Sequence, residues 1–333
     1  MKKQAHSYLR QGWQPPVQSI TPEPQAPQCR RVPSKKQTAR KNRWVLPLQL
    51  LCIAVAVFSA FMLVTYAVSS ANTARTNREL AQLHASVTSV PTEVIIETPV
   101  PIETPLPTES PAVTPAPTAT PKPVFHEFGG QKTEVGEMFY AENTDFVAWL
   151  NIDGVVNLPV VYRDNSYYLT HDFYKRSSTS GTLFFDVLHP LAADTQQFVI
   201  HGHNMKDNSM FGILSHYRDK AFAKKHAFAT LQTLYGDERY ALFAVVITGT
   251  TSASKNYLPY LGRSTFYSEA SFNDFIAEIK KKALFHTTVE VTPEDALLTL
   301  STCLADDRCL VIFRKMQDGE SESVLKSQIS VMY

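Results

Sequence analysis

The sequence predicts a mainly β fold with added helices (α+β), a β-barrel decorated by helices, set behind one membrane-spanning helix and a proline-rich linker. Three observations carry that prediction. A single uncharged apolar run lies near the N-terminus, a stretch with ten prolines follows it, and the last 200 residues hold about eight short β-type runs and two helical ones.

The apolar run comes after a basic lead. Residues 1–43 carry ten Lys/Arg against one acid, Glu23, although the whole chain of 333 residues has a net charge of only +1. The remainder is therefore mildly acidic and gives no reason to expect a nucleic-acid partner. From Trp44 to Ala74 there is no charged residue. Its apolar heart, Val45 to Val68, is long enough at about 1.5 Å per residue to cross a hydrocarbon core of about 30 Å. Both the run and its lead exceed those of an ordinary cleavable signal peptide. Seven Lys/Arg lie within 14 residues of the apolar start, so the positive-inside rule keeps residues 1–43 in the cytoplasm. Residues 44–68 then form the transmembrane helix of a single-pass cell-membrane protein, and everything beyond is extracellular.

Residues 69–124 read as a linker, first polar and then rich in Pro and Thr. Residues 71–90 have scattered leucines that suit a short helix. Residues 91–124 hold the ten prolines, which deny the backbone both ladder and helix. A polyproline-like spacer of that length reaches up to about 100 Å at roughly 3.1 Å per residue, and it would keep the domain at residues 125–333 away from lipid. Of four cysteines, Cys29 is cytoplasmic and Cys52 lies in the membrane, leaving Cys303 and Cys309 outside. One possible pair is no disulfide framework, so the domain must rest on a hydrophobic core.

Within that domain the β-type runs are Phe146–Ile152, Leu158–Tyr162, Gly181–Asp186, Gln197–His203, Phe228–Leu234, Tyr240–Thr248, Ala296–Cys303 and Cys309–Lys315, many bounded by Gly, Asn or Asp. Met210–His226 reads as a helix. So does the run in which Phe272, Phe275, Ile276, Ile279 and Ala283 recur at helical spacing, with Ser271 placed as its cap.

Leu298–Cys303 is an apolar strand ending in cysteine, and a four-residue connection leads to Arg308 and the next strand. A hairpin of that length sets Cys303 and Arg308 across from each other. A nearby cation favours the thiolate, and a guanidinium can donate to a developing oxyanion. A nucleophilic thiol needs an acid–base partner, usually histidine. His203 is the candidate: Phe198–Ile200 is an apolar strand, Gly202 allows close backbone approach, and His203 stands where a loop begins.

TLSTC at 299–303, the arginine opening the last strand and HGHNMKDNSMFG at 201–212 resemble the signature of sortases, class B in particular. WLNIDG (149–154), LPVVY (158–162), DNSYYL (164–169) and GTLFFD (181–186) follow in family order, so the resemblance covers roughly residues 140–315. It implies an eight-stranded sortase-type barrel with N-terminal helices and a helix before the cysteine strand. It makes His203 the catalytic histidine, Cys303 the nucleophile and Arg308 the oxyanion-binding arginine. Ser301, Asn165 and Leu169 become candidate lining of a peptide groove. The implied reaction is a two-step transpeptidation at the surface of a Gram-positive cell. Cys303 cleaves a C-terminal sorting motif of a secreted protein after Thr, and an amine from a peptidoglycan precursor or a pilin lysine resolves the thioester. No cofactor or metal is implied. Two departures stand out: His201 occupies a position where many class B members have tyrosine, and the loop from Cys303 to Arg308 is short for the class.

Other readings share these residues. A thiol protease would let water resolve the acyl-enzyme. His201, His203, Cys303 and Cys309 form a possible zinc set, against which Cys309 should point to the opposite sheet face. A wall-associated binding domain with a Cys303–Cys309 disulfide is a third, although close strand neighbours make awkward partners.

Overall fold

A computed structural model describes residues 45–88 and 131–333. The basic lead at 1–43 and the proline-rich segment at 91–124 lie outside the described residues. The chain divides into two units, Met1–Val55 and Ala56–Tyr333. Helix α1 (Val45–Thr88) is the one described element of the first unit and runs on into the second. Its apolar part, Val45 to Val68, is long enough to cross a membrane and is exposed wherever its burial is described.

The helix continues well beyond residue 68, where the linker was expected to begin. Thr73, Thr76, Leu80 and His84 are buried, at i, i+3, i+7 and i+11 of one helical stripe. Leu80 joins a cluster with Phe139, Trp149, Tyr168 and Phe184. The His84 ring stacks on the Trp149 indole at 4.3 Å, and its Nε2 pairs with Gln232 Oε1. Residues 69–84 are thus packed chain, and the short helix expected over 71–90 is the end of a long one.

Thr133 caps α2 (Glu134–Glu142) by accepting from Gly136 N. The strands follow: β1 (Phe146–Ile152), β2 (Val156–Val161), β3 (Leu183–Phe185), β4 (Gln197–His201), β5 (Phe228–Thr233), β6 (Asp237–Gly249), β7 (Ala283–His286), β8 (Leu297–Leu304) and β9 (Asp307–Lys315). They pair in the order β5-β1-β2-β3-β4-β8-β9-β6, and a β5–β6 ladder closes the ring. The result is an eight-stranded barrel, with β7 appended to β6 outside the ring. Closure removes the unpaired edges that an open sheet would present. Two pairings are parallel, β2–β3 and β4–β8. A parallel pair needs a long crossover, and those crossovers hold the helices and loops around the site.

Strand alternation sorts the side chains into an inner and an outer set. Ile200, Leu298, Leu300, Cys309, Val311 and Phe313 fill the interior with Leu150, Leu231 and Leu242. Val199, Val246, Leu310 and Ile312 face outward and are covered by α4 (Glu269–Lys282) through Phe272, Phe275, Ile276 and Ile279. The cap of α4 is Ser268, whose Oγ accepts from Ser271 N; Ser271 is the reciprocal partner of a capping box, not the cap. The expected helix Met210–His226 is two pieces, a 3₁₀ stretch Gly212–Arg218 and α3 (Lys220–Lys225). Asp219 divides them because its carboxylate caps Phe222 N and starts a new helix. The chain ends with α5 (Glu322–Ser330), whose Leu325 and Ile329 pack on the barrel core.

Candidate functional site

The candidate site forms where two parallel strands and one hairpin end together. In the β4–β8 ladder His201 pairs with Ser301. Beyond the ladder, Gly202 N donates to Ser301 O at 3.3 Å and Thr302 Oγ1 donates to Gly202 O at 2.9 Å. Asn204 Nδ2 then donates to the Cys303 carbonyl at 2.6 Å. These bonds carry the pairing past the end of β4 and set the chain at Gly202–Asn204 beside Ser301–Cys303. Gly202 is required for this approach: a Cβ there would lie 2.5 Å from Leu183 Cδ2 and 2.7 Å from Phe211.

Across the β8–β9 hairpin Cys303 pairs directly with Arg308. The strands run one residue further than the expected four-residue loop allowed. Leu304 pairs with Asp307, and only Ala305 and Asp306 turn, Ala305 at φ +52°. A two-residue hairpin with positive φ at its first position follows the twist of its strands. Cβ atoms of directly opposed residues in such a ladder lie about 5 Å apart. Cys303 is exposed, and Arg308 and His203 are half-buried. Cys309, one residue past Arg308, faces the interior, is fully buried and has its thiol pushed up to about 12 by desolvation. Cys303 and Cys309 therefore occupy opposite faces, which argues against both the His₂Cys₂ set and a Cys303–Cys309 bridge.

His203 Nε2 donates to the Leu169 carbonyl at 2.7 Å. A carbonyl oxygen only accepts, so Nε2 carries a proton and Nδ1 is left as the nitrogen that can exchange one. Leu169 sits in a 3₁₀ turn (Tyr167–Leu169), partly exposed. Behind His203, His201 Nε2 donates to Asp186 Oδ2 at 2.7 Å, with both side chains largely buried. Burial alone would raise the Asp186 carboxyl. The His201 bond, the Leu188 amide, the His201 charge and the Asn165 side chain outweigh it and bring the group down to about 2. Asn165 Oδ1 also accepts from Val187 N at 3.0 Å. His189, fully buried, donates from Nδ1 to Gln197 O and accepts at Nε2 from Gly262 N. Desolvation lowers its pKa below the ordinary histidine value, although the Gln197 bond and the Asp186 charge oppose that shift.

Of the residues singled out from sequence, Cys303, Arg308, His203, Leu169 and Asn165 converge here. Ser301 is adjacent but fully buried, its Oγ 3.0 Å from Tyr260 Oη, so in this structure it lies under Tyr260 and does not open onto a groove. Four contributors went unread: Asp186, Thr302, Asn204 and Tyr260. Burial raises the Tyr260 phenol, while the Ser301 bond and the Arg308 charge oppose that shift. Asp186 closes the GTLFFD run and Asn204 follows the histidine pair, so both lay inside motifs already noticed. Tyr260 lies in an irregular loop with no periodic signal.

No protein-family model matches the chain. It is 31% identical over 163 residues to Sortase B of Staphylococcus aureus (strain NCTC 8325 / PS 47), covering 48% of this chain and 64% of that protein. It is equally identical to Sortase B of Listeria monocytogenes serovar 1/2a (strain ATCC BAA-679 / EGD-e), over 48% and 63%. The chain thus spans a little under two thirds of these curated relatives. Among solved structures it resembles sortase B from B. anthracis in complex with AAEK2, with TM-score 0.52, 27% identity, and coverage of 59% of this chain and 89% of that one. The Staphylococcus aureus sortase B–substrate complex gives TM-score 0.51 and 26% identity over 57% and 88%.

Proposed function

We propose that the chain, which is similar to sortases of class B, is a membrane-anchored cysteine transpeptidase. The observation that carries the reading is the convergence of an exposed cysteine, a directly paired arginine and a strand-end histidine on one rim of the barrel. In the proposed first step the Cys303 thiolate attacks the carbonyl carbon of Thr in a sorting motif. Arg308 donates two hydrogen bonds to the developing oxyanion, a task its planar fork suits better than a lysine would. The C–N bond breaks, His203 gives a proton to the leaving amine, and a thioester remains on Cys303. In the second step an amine attacks the thioester and loses its proton to His203, and Cys303 departs as thiolate.

Asp186 and His201 act in this scheme as positioning residues, fixing the end of β4 from which His203 projects. Leu169 and Asn165 belong to the wall on which the peptide lies, Leu169 also orienting the histidine through its carbonyl. The substrates proposed are secreted proteins with a C-terminal sorting motif, joined to an amine of a peptidoglycan precursor or to a pilin lysine. Residues 44–68 hold the enzyme in the cell membrane with its N-terminus cytoplasmic and the barrel outside.

The test uses the full chain in detergent with peptides of NPxT and LPxT type, read by intact mass. A thioester adduct that maps to Cys303 and is absent from Cys303→Ala supports the scheme. Adduct formation by Cys303→Ala, or none by the parent with either motif, sinks it.

A further inference from the structure

The packed extension of α1 bears on where the barrel sits. Ala56–Thr88 and the barrel belong to one unit. The first residues past the apolar run make contacts at once: Ser69 Oγ lies 2.8 Å from Thr179 Oγ1, and Ser70 Oγ donates to Asp207 Oδ2 at 2.7 Å. Further up, Thr73 meets Ser178 at 3.2 Å, Thr76 Oγ1 accepts from Arg176 at 3.0 Å, and Asn77 Nδ2 reaches Met210 Sδ at 3.6 Å. At about 1.5 Å per residue, Ser70 stands only about 3 Å above Val68, Asn77 about 14 Å and His84 about 24 Å. One cleft is lined by Val64 and Val68 on the helix and by Asp172, Arg176 and Ser178 on the barrel. The barrel therefore reaches down to the level of the last apolar turns.

The surfaces touched are those that frame the candidate site. Asp207 and Met210 lie in the loop after His203, whose Asn204 holds the Cys303 carbonyl. Ser178 and Thr179 end the loop that begins beyond Leu169, the residue bonded to His203. Two described stretches pack near the end of β5: His84 contacts Gln232, and Thr133 N donates to Leu234 O at 2.8 Å, just past the strand.

We propose that residues 69–84 are a built-in clamp that holds the site-bearing rim of the barrel against the membrane surface. The partner of this face is the bilayer headgroup region. A substrate reaching Cys303 in place is one presented within about 15 Å of the lipid, the level set by Ser70 to Asn77 at the rise of an α-helix. The proposal rests on the reading that Val45–Val68 spans a membrane.

The test measures energy transfer in full chains reconstituted in bilayer nanodiscs. Cys29→Ser and Cys52→Ser leave Cys303 as the exposed thiol for a donor dye, with the acceptor on lipid headgroups. A second chain carries about a dozen Gly/Ser residues inserted between Val68 and Ser69, which frees the tether without touching the packed contacts. The expected result is strong transfer in the first chain and a severalfold loss in the second. A chain that inserts into the disc yet shows equally weak transfer in both forms overturns the clamp and leaves the membrane reading standing. A chain that elutes apart from the disc overturns the membrane reading and the clamp with it.

Discussion

Replacing Asp186 by Asn probes the buried support behind His203. The carboxylate is 2% exposed and accepts from His201 Nε2 and from Leu188 N, each at 2.7 Å. Burial disfavours its charge, but the His201 bond, the Leu188 amide and Asn165 bring its pKa from 3.8 to about 2. A displacement of nearly two pH units is worth on the order of 2 kcal/mol in favour of the folded, ionised form. The folded value lies below the unfolded one, so this stabilisation is complete above 3.8 and is lost as the pH falls through about 2. Asn keeps the shape and loses the charge. Urea unfolding followed by intrinsic fluorescence is therefore expected to give Asp186→Asn about 2 kcal/mol less stability than the parent near pH 7, with the gap closing between about pH 4 and about pH 2. Equal stabilities at neutral pH, or a gap that does not change down to about pH 2, refute the reasoning.

Leu80→Ala is expected to cost about 2–4 kcal/mol in the same assay, because Leu80 is fully buried among aromatic rings; unchanged stability contradicts a packed α1. Burial also lowers the His84 pKa below 6.5, so its share of stability is full above 6.5 and declines as the pH falls; His84→Gln should flatten that limb. With Cys29 and Cys52 replaced by Ser, iodoacetamide should add one label per native chain, on Cys303. Cys309, buried and pushed up to about 12, should react only after unfolding, and two rapid labels would contradict its placement. Gly202→Ala forces a methyl against Leu183 and Phe211 and is expected to cost about 1–3 kcal/mol, with turnover falling as His203 loses register with Cys303. Arg308→Lys keeps the charge and loses the fork; its turnover is expected to drop about 100-fold or more while folding is retained, and near-parent turnover would remove Arg308 from the scheme.

Much of this fold was legible because its strands obey period two. Phe146–Ile152 was read to the residue, and Cys303 and Arg308 fell opposite each other because a hairpin leaves few registers. The catalytic candidates announced themselves as reactive types at the ends of apolar runs. What escaped has a different physical basis. The buried stripe of α1 consists of Thr73, Thr76, Leu80 and His84, so its packing uses small and polar groups and leaves no hydrophobic period to find. The split at Asp219 and the cap at Ser268 each turn on one side-chain bond competing with helix continuation. Tyr260 reaches Ser301 from an irregular loop across 41 residues, and no local pattern encodes such a contact. Asp186 was visible as a strand end, but its partner at His201 is set by the β3–β4 pairing, in which Phe184 faces His201.

The most direct test of the central claim is the fate of the acyl-enzyme. Full-length chain loaded with a sorting-motif peptide would be split between buffer alone and buffer with added amines, among them oligoglycine and a lysine peptide, and the thioester on Cys303 followed by intact mass with time. A transpeptidase releases the acyl group much faster with one of the amines and yields the ligated peptide. Release at the same rate with and without every amine, giving only the free acid, would make the enzyme a hydrolase and contradict the account.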